Sequence, residues 1–300
     1  MMKPFLTSLF FFMLLCGIFG QAEQLLYEGP IPNTRDVPDP ERVEELRPGS
    51  RAFFATAVPT LAVFKPRHPN GQAIVICPGG GYTITAYDLE GIRVAESLVQ
   101  DSITAFVLKY RIPQDRTNVD RSLAPLQDAQ QAIRYVRKNA AEYEINPDRI
   151  GIMGFSAGGH LASSAATHFD RIADPNETDT TSVRPDFAIL IYPVISFTDA
   201  LTHMGSRNNL IGEDPGEAEI LYWSSEKRVG PDSPPAFLVH AGDDEVVPVG
   251  NSIAYYQACI ENGVPAEMHL YPKGGHGFGM YNTTTFDSWM ERLRNWLRGL

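Results

Sequence analysis

The chain has 300 residues, 43% of them hydrophobic and 20% charged, a profile that fits a folded globular protein and excludes intrinsic disorder. With 25 Lys and Arg against 36 Asp and Glu the net charge is −11, which repels phosphate backbones and anionic membrane surfaces, so nucleic acid is not an expected partner. The 25 Gly follow no three-residue period, which excludes a collagen-like chain.

In chain order, Lys3 is followed by an apolar run from Phe5 to Phe19, and the small residues Gly20 and Ala22 precede Glu23. This pattern predicts a secretory signal peptide over residues 1–22, cleaved after about Ala22, because the run is short for a membrane span. The expected location is secreted or periplasmic, with no stable membrane insertion after cleavage. A lipid anchor on Cys16 is disfavoured by bulky Leu15 before it. Cys77 and Cys259 remain, too few for a disulfide framework, and read as buried thiols. Residues 23–50 carry Pro30, Pro32, Pro38, Pro40 and Pro48 and read as an extended arm with little regular structure.

Residues 51–300 read as one domain. Short apolar runs at Leu61–Phe64, Ala73–Cys77, Ile103–Leu108, Ile150–Met153, Phe187–Tyr192, Ala236–His240 and Met268–Tyr271 suit strands buried on both faces. Helical spacing marks Glu90–Gln100, Leu123–Tyr143, Ser252–Asn262 and Phe286–Leu297, with Gly263 stopping the third of these. Strand alternating with helix predicts a mostly parallel sheet covered by helices on both faces, the α/β class. Arg171–Pro185 reads as a surface loop. Thr202–Pro235 reads as an insertion with short helical pieces, near the mouth of a site.

The chemistry concentrates in Ile150-Gly-Ile-Met-Gly-Phe-Ser156-Ala-Gly-Gly-His160, a strand, then Gly-x-Ser-x-Gly, then a helix. Ser156 is placed on a tight strand-to-helix turn, where Gly154 and Gly158 avoid clashes between close backbones. A serine hydroxyl needs a base, and of the seven His, His276 in Lys273-Gly-Gly-His-Gly-Phe278 has glycines that let it reach a cleft. His160 reads as packed in its helix, His240 ends a strand, and His68, His168, His203 and His269 have no supporting context. The acid that orients the imidazole is expected from Asp243 or Asp244, just past a strand end, with Asp243 preferred. Backbone N–H groups of Gly80 or Gly81, in Pro78-Gly-Gly-Gly-Tyr82, and of Ala157 are the expected oxyanion donors. Gly-Lys-Ser/Thr, GxGxxG, His-Glu-x-x-His and Cys-x-x-Cys are all missing, so no phosphate-binding loop, metal or cofactor is expected.

PGGGY near residue 80, DAQQAIRYVRKNA at 128–140, DRIGIMGFSAGGHLAS at 148–163, HAGDDEVVPVGNS at 240–252 and KGGHGFG at 273–279 occur in an order that resembles the secreted α/β-hydrolases of the acetylxylan esterase and feruloyl esterase-like group. That group is related to prolyl-oligopeptidase-type catalytic domains. The resemblance implies an α/β-hydrolase fold and a cofactor-free esterase with Ser156 as nucleophile, His276 as general base and Asp243 as orienting acid. It points to short acyl esters, above all acetyl, on small-molecule or polysaccharide substrates such as acetylated xylan. The alternatives are a prolyl-oligopeptidase-like peptidase and a general small-ester carboxylesterase. Tyr82, Tyr192, Trp223 and Phe278 are the candidate substrate-binding aromatics, by stacking on a sugar ring. The oligomeric state is open.

Overall fold

A computed structural model describes residues 22–300. The expected signal peptide, save Ala22, therefore lies outside the described residues, as does Cys16. Among the described residues no helix is long and apolar enough to cross a membrane.

The strands are β1 (Ala22–Leu25), β2 (Arg42–Arg47), β3 (Ser50–Phe54), β4 (Thr60–Phe64), β5 (Ala73–Cys77), β6 (Ile84–Thr85), β7 (Thr104–Lys109), β8 (Ile150–Phe155), β9 (Phe187–Ile191), β10 (Ala236–Ala241) and β11 (Ala266–Tyr271). The helices are α1 (Arg93–Gln100), α2 (Ala124–Lys138), α3 (Ser156–Thr167), α4 (Met204–Ile211), α5 (Glu217–Tyr222), α6 (Gly250–Glu261) and α7 (Trp289–Arg298). Eight strands form the main sheet in the order β1-β4-β7-β5-β8-β9-β10-β11, and β2-β3-β6 make a small second sheet. From β7 to β11 every neighbouring pair is parallel, while β1 and β4 join antiparallel.

The apolar runs become strands because alternate residues have a helical layer to bury against. On β5, Val75 and Cys77 face one core with Ile133 and Val136 of α2, Leu161 of α3 and Cys259 of α6. Ile74 and Ile76 face the other, with Val94 and Leu98 of α1 and Trp289 and Leu293 of α7. Each fully buried Val or Leu contributes about 1.5–3 kcal/mol. This is why these central strands show no polar alternation in their sequence.

The arm differs from its expectation. Residues 23–50 were expected to hold little regular structure, yet β1 pairs with β4 and β2 pairs with β3. Every residue of β2 is exposed, so its sequence, RVEELR, carries no apolar run, and its strand form comes from β3 and not from burial. Leu26 is buried and anchors the start of the arm in the core.

Strand order also positions the site. After β5 the chain crosses to β7 on one side, and after β7 it returns past β5 to β8 on the other. Helices then leave to opposite faces, and the loops at the carboxyl ends of β5 and β8 diverge to leave a crevice. The loops following β5, β8, β10 and β11 hold the glycine run, Ser156, the paired aspartates and His276.

Candidate active site

Ser156 is the first residue of α3 and has φ of +51°, the left-handed region that side-chain-bearing residues rarely occupy. Its neighbours make the turn possible. A Cβ on Gly154 would collide with the Gly158 carbonyl, and one on Gly158 with the Cys77 carbonyl. The turn thrusts the Ser156 hydroxyl away from the sheet toward the loop after β11. In that loop Gly275 and Gly277 have φ of +61° and +74°, and His276 between them turns inward. His276 Nε2 lies 2.8 Å from Ser156 Oγ, and Nδ1 lies 2.7 Å from Asp244 Oδ2. An ionised carboxylate can only accept, so Nδ1 carries the proton, Nε2 accepts, and the serine hydroxyl donates.

The aspartate beside the imidazole is Asp244, which corrects the preference for Asp243. The turn after β10 selects between the two neighbours. Backbone N–H groups of Val246 and Val247 both donate to Asp244 Oδ1 at 2.9 Å and draw its carboxylate inside. Asp243 points outward and accepts from the Gly275 N–H at 2.8 Å, so it supports the histidine loop and does not touch the imidazole. His240 adds a further contact on Asp244, Nε2 to Oδ2 at 3.2 Å, and is itself held by Ser252 Oγ at 2.8 Å. Burial alone would raise the Asp244 pKa. The hydrogen bonds from His240, His276 and Val247 outweigh it and hold the carboxyl well below the usual carboxylate range.

Facing Ser156 is the loop after β5. Gly80 and Gly81 have φ of +135° and +65°, and a Cβ on Gly80 would strike the Ile84 carbonyl. Among the described residues their N–H groups donate to no protein acceptor. Ala157 lies in the first turn of α3, where N–H groups lack intrahelical partners. Asn209 of α4 donates to the Gly81 carbonyl and to Thr83 Oγ1, both at 2.8 Å, so the 202–235 insertion does brace the mouth of the site.

A model of the BD-FAE family matches residues 61–259. The chain belongs to the BD-FAE family. It is 38% identical over 245 residues to an acetylxylan esterase of Xylanibacter ruminicola, a match covering 80% of this chain and 48% of that protein. It is also 38% identical over 223 residues to endo-1,4-beta-xylanase B of Butyrivibrio fibrisolvens, covering 73% of this chain and 34% of that one. The chain thus spans half the length or less of these two curated relatives. Among solved structures it is similar to an acetyl ester-xyloside bifunctional hydrolase from Caldicellulosiruptor lactoaceticus, with a TM-score of 0.77, 37% identity, and coverage of 93% of this chain and 96% of that one. The fold is that of the α/β-hydrolase esterases. The matched BD-FAE segment contains the glycine loop, Ser156 and Asp244, and His276 lies beyond its end.

Within this BD-FAE chain the aromatic expectations need correction. Tyr82, Tyr192 and Trp223 are 2%, 0% and 3% exposed and offer no face to a sugar ring. Their polar atoms are spent inside the protein. Tyr82 Oη lies 2.9 Å from His160 Nδ1, and His160 Nε2 lies 2.8 Å from the Trp223 carbonyl. The carbonyl can only accept, so the Nε2–H donates to it and the Tyr82 hydroxyl donates to Nδ1. Burial lowers the His160 pKa to about 4 and keeps it neutral, in accord with its reading as a packed residue. Phe278 is half-buried, edge-on to Tyr192 with centroids 4.7 Å apart.

Two residues near the site escaped the sequence reading. His203 caps α4 by accepting from the Ser206 N–H, and its ring lies beside Gly81. Burial, then the neighbouring His276, lowers its pKa. Nothing in its local sequence marks it, since its place depends on how the insertion folds back. Glu90 is the other, read as part of an amphipathic helix but buried against the glycine loop.

Proposed function

We propose that the chain is a serine ester hydrolase that removes short acyl groups, acetyl above all, from carbohydrate substrates such as acetylated xylan. The observation that carries this reading is the continuous contact from Ser156 through His276 to Asp244, opposite a glycine loop whose Gly80 and Gly81 N–H groups donate to no acceptor among the described residues. The relatives named for acetylxylan and acetyl ester-xyloside hydrolysis support the substrate class.

Ser156 Oγ attacks the ester carbonyl while His276 Nε2 takes its proton. The tetrahedral oxyanion is met by the N–H groups of Gly80, Gly81 and Ala157; one such donor contributes about 3 kcal/mol. Asp244 balances the imidazolium. Collapse expels the sugar alkoxide, which takes the proton from His276 and leaves acyl-Ser156. Water, deprotonated by His276, then releases the carboxylic acid and restores the hydroxyl. The cycle uses only these side chains and water. The reading includes export: residues 1–22 direct the chain to a secreted or periplasmic location, and residues 51–300 act as the catalytic domain with the arm packed on it.

The test is Ser156→Ala. Hydrolysis of p-nitrophenyl acetate and acetate release from acetylated xylan should both fall by about 10⁴-fold or more with the melting temperature retained. A folded variant with wild-type rates would reject the assignment. Cleavage of aminoacyl-p-nitroanilides in place of acetyl esters would shift the reading to a peptidase.

A further inference from the structure

We propose that Glu90 is a positioning residue whose buried carboxyl group ties the oxyanion loop to the histidine loop. This rests on the serine-esterase reading above. Glu90 sits in a π-turn, Asp88–Ile92, that leads into α1. Such turns add a residue to the helical register and are frequent at functional sites. Here the turn aims a carboxylate into the core, where Glu90 is 8% exposed.

Each oxygen of that carboxylate holds a different loop. Oε2 accepts from the Gly79 N–H at 2.7 Å. This contact fixes the start of the glycine loop beside Ser156, and a Cβ on Gly79 would crowd Glu90 Oε2, the Phe155 carbonyl and Ser156 Cβ at 2.7, 2.7 and 2.9 Å. Oε1 accepts from the Tyr192 hydroxyl at 2.8 Å. That hydroxyl in turn accepts from the Gly279 N–H at 3.0 Å, three residues past His276. The Gly279 carbonyl is held by Trp289 Nε1 at 3.1 Å, and the Tyr192 ring lies edge-on to the His276 ring with centroids 5.0 Å apart. Tyr192 holds this place with φ of +36°, a strained backbone that the two hydrogen bonds to its hydroxyl help to secure.

Burial raises the Glu90 pKa, while the Tyr192 and Gly79 hydrogen bonds and the His276 charge favour its ionised form. The groups facing Glu90 are the Gly79 N–H, the Tyr192 and Tyr110 phenols and His276. Those facing His276 are Ser156, Asp244, His203 and Glu90. Asp244 is the contact partner of the imidazole, and Glu90 reaches the histidine loop through the Tyr192 hydroxyl and the Gly279 N–H.

The experiment compares Glu90→Gln and Tyr192→Phe with wild type on p-nitrophenyl acetate, with Ser156→Ala as the control for the underlying reading. Glu90→Gln should lower kcat about 10- to 100-fold while KM changes less than about threefold, because the loops lose alignment and not the ground-state pocket. Tyr192→Phe cuts the same tie at both the Glu90 and the Gly279 contact, so kcat should fall while KM again changes little. A Glu90→Gln enzyme with wild-type kcat, or one whose KM rises as much as its kcat falls, overturns the proposal even where Ser156→Ala is inactive. Should Glu90→Gln fail to fold, Tyr192→Phe decides: a reduced kcat supports the tie and a wild-type kcat rejects it. Residual wild-type activity in Ser156→Ala would instead reject the esterase site itself.

Discussion

Two regions of the molecule each bury an aspartate, and they use it in opposite ways. Where β7 meets α2, Asp128 accepts from Arg111 at 2.7 Å and from the Tyr27 hydroxyl at 2.9 Å, with both members of the ion pair fully buried. At the end of β10, the Asp244 side chain is buried as completely, yet its partners are the imidazoles of His240 and His276. Burial forces both carboxylates to fill their lone pairs. What differs is the donor. A guanidinium keeps its protons throughout the accessible pH range, so Asp128 is pinned, whereas an imidazole gives and takes a proton near neutrality, so Asp244 can serve a reaction. A groove of about 610 Å³ lies between the arm and α2, lined by Tyr27 and Arg134, and it contains none of Ser156, Asp244 or His276.

The sharpest way to break this comparison is Asp244→Asn, which should cost on the order of 10³–10⁴ in kcat by favouring the wrong tautomer of His276, measured on p-nitrophenyl acetate. Stability should change far less than activity. Asp128→Asn should do the reverse, losing about 3–5 kcal/mol in a denaturant titration because Arg111 is left buried without its counter-ion. Its surviving folded fraction should keep kcat within about threefold of wild type. A large kcat loss there would end the distinction between a pinned and a working carboxylate.

Buried imidazoles provide the next test. Burial lowers the pKa of His160 and of His168 from 6.5 to about 4, so both are neutral in the fold. Between those two pH values the unfolded chain binds protons that the folded chain refuses. Their stabilisation is therefore present above pH 6.5 and is lost as pH falls toward 4, by roughly 3 kcal/mol each. Melting temperatures measured from pH 7.5 to 4.5 should fall less steeply in His168→Gln than in wild type; parallel curves would show that His168 is not the group responsible. The smallest effect belongs to Asp243→Asn, which should leave kcat within about threefold, as expected for an exposed residue that only accepts from the Gly275 N–H.

The central strands were legible because they are buried on both faces, and continuous runs such as Ala73–Cys77 and Phe187–Ile191 have few other uses in a soluble chain. β2 and β3 were not, because the two strands pair with each other while every residue of β2 meets water, so no apolar run marks the hairpin. The part of the π-turn from Glu90 to Ile92 was read as the start of an ordinary helix, since one extra residue in a turn leaves the apolar spacing nearly intact.

For the site, the residue types and their order along the chain were settled by sequence alone. Gly-x-Ser-x-Gly between a strand and a helix, a glycine run after an earlier strand, aspartates after a later one and a glycine-flanked histidine near the end all occupy the places read for them. Tertiary structure alone chose between Asp243 and Asp244, because adjacent residues differ in the direction that a turn's N–H groups pull them, and that direction is not written in their identity. It also moved Tyr82, Tyr192 and Trp223 from the presumed sugar face into the interior and set Glu90 and His203 beside the site. A side chain's environment is the sum of what distant segments bring to it, and local pattern carries no record of that sum.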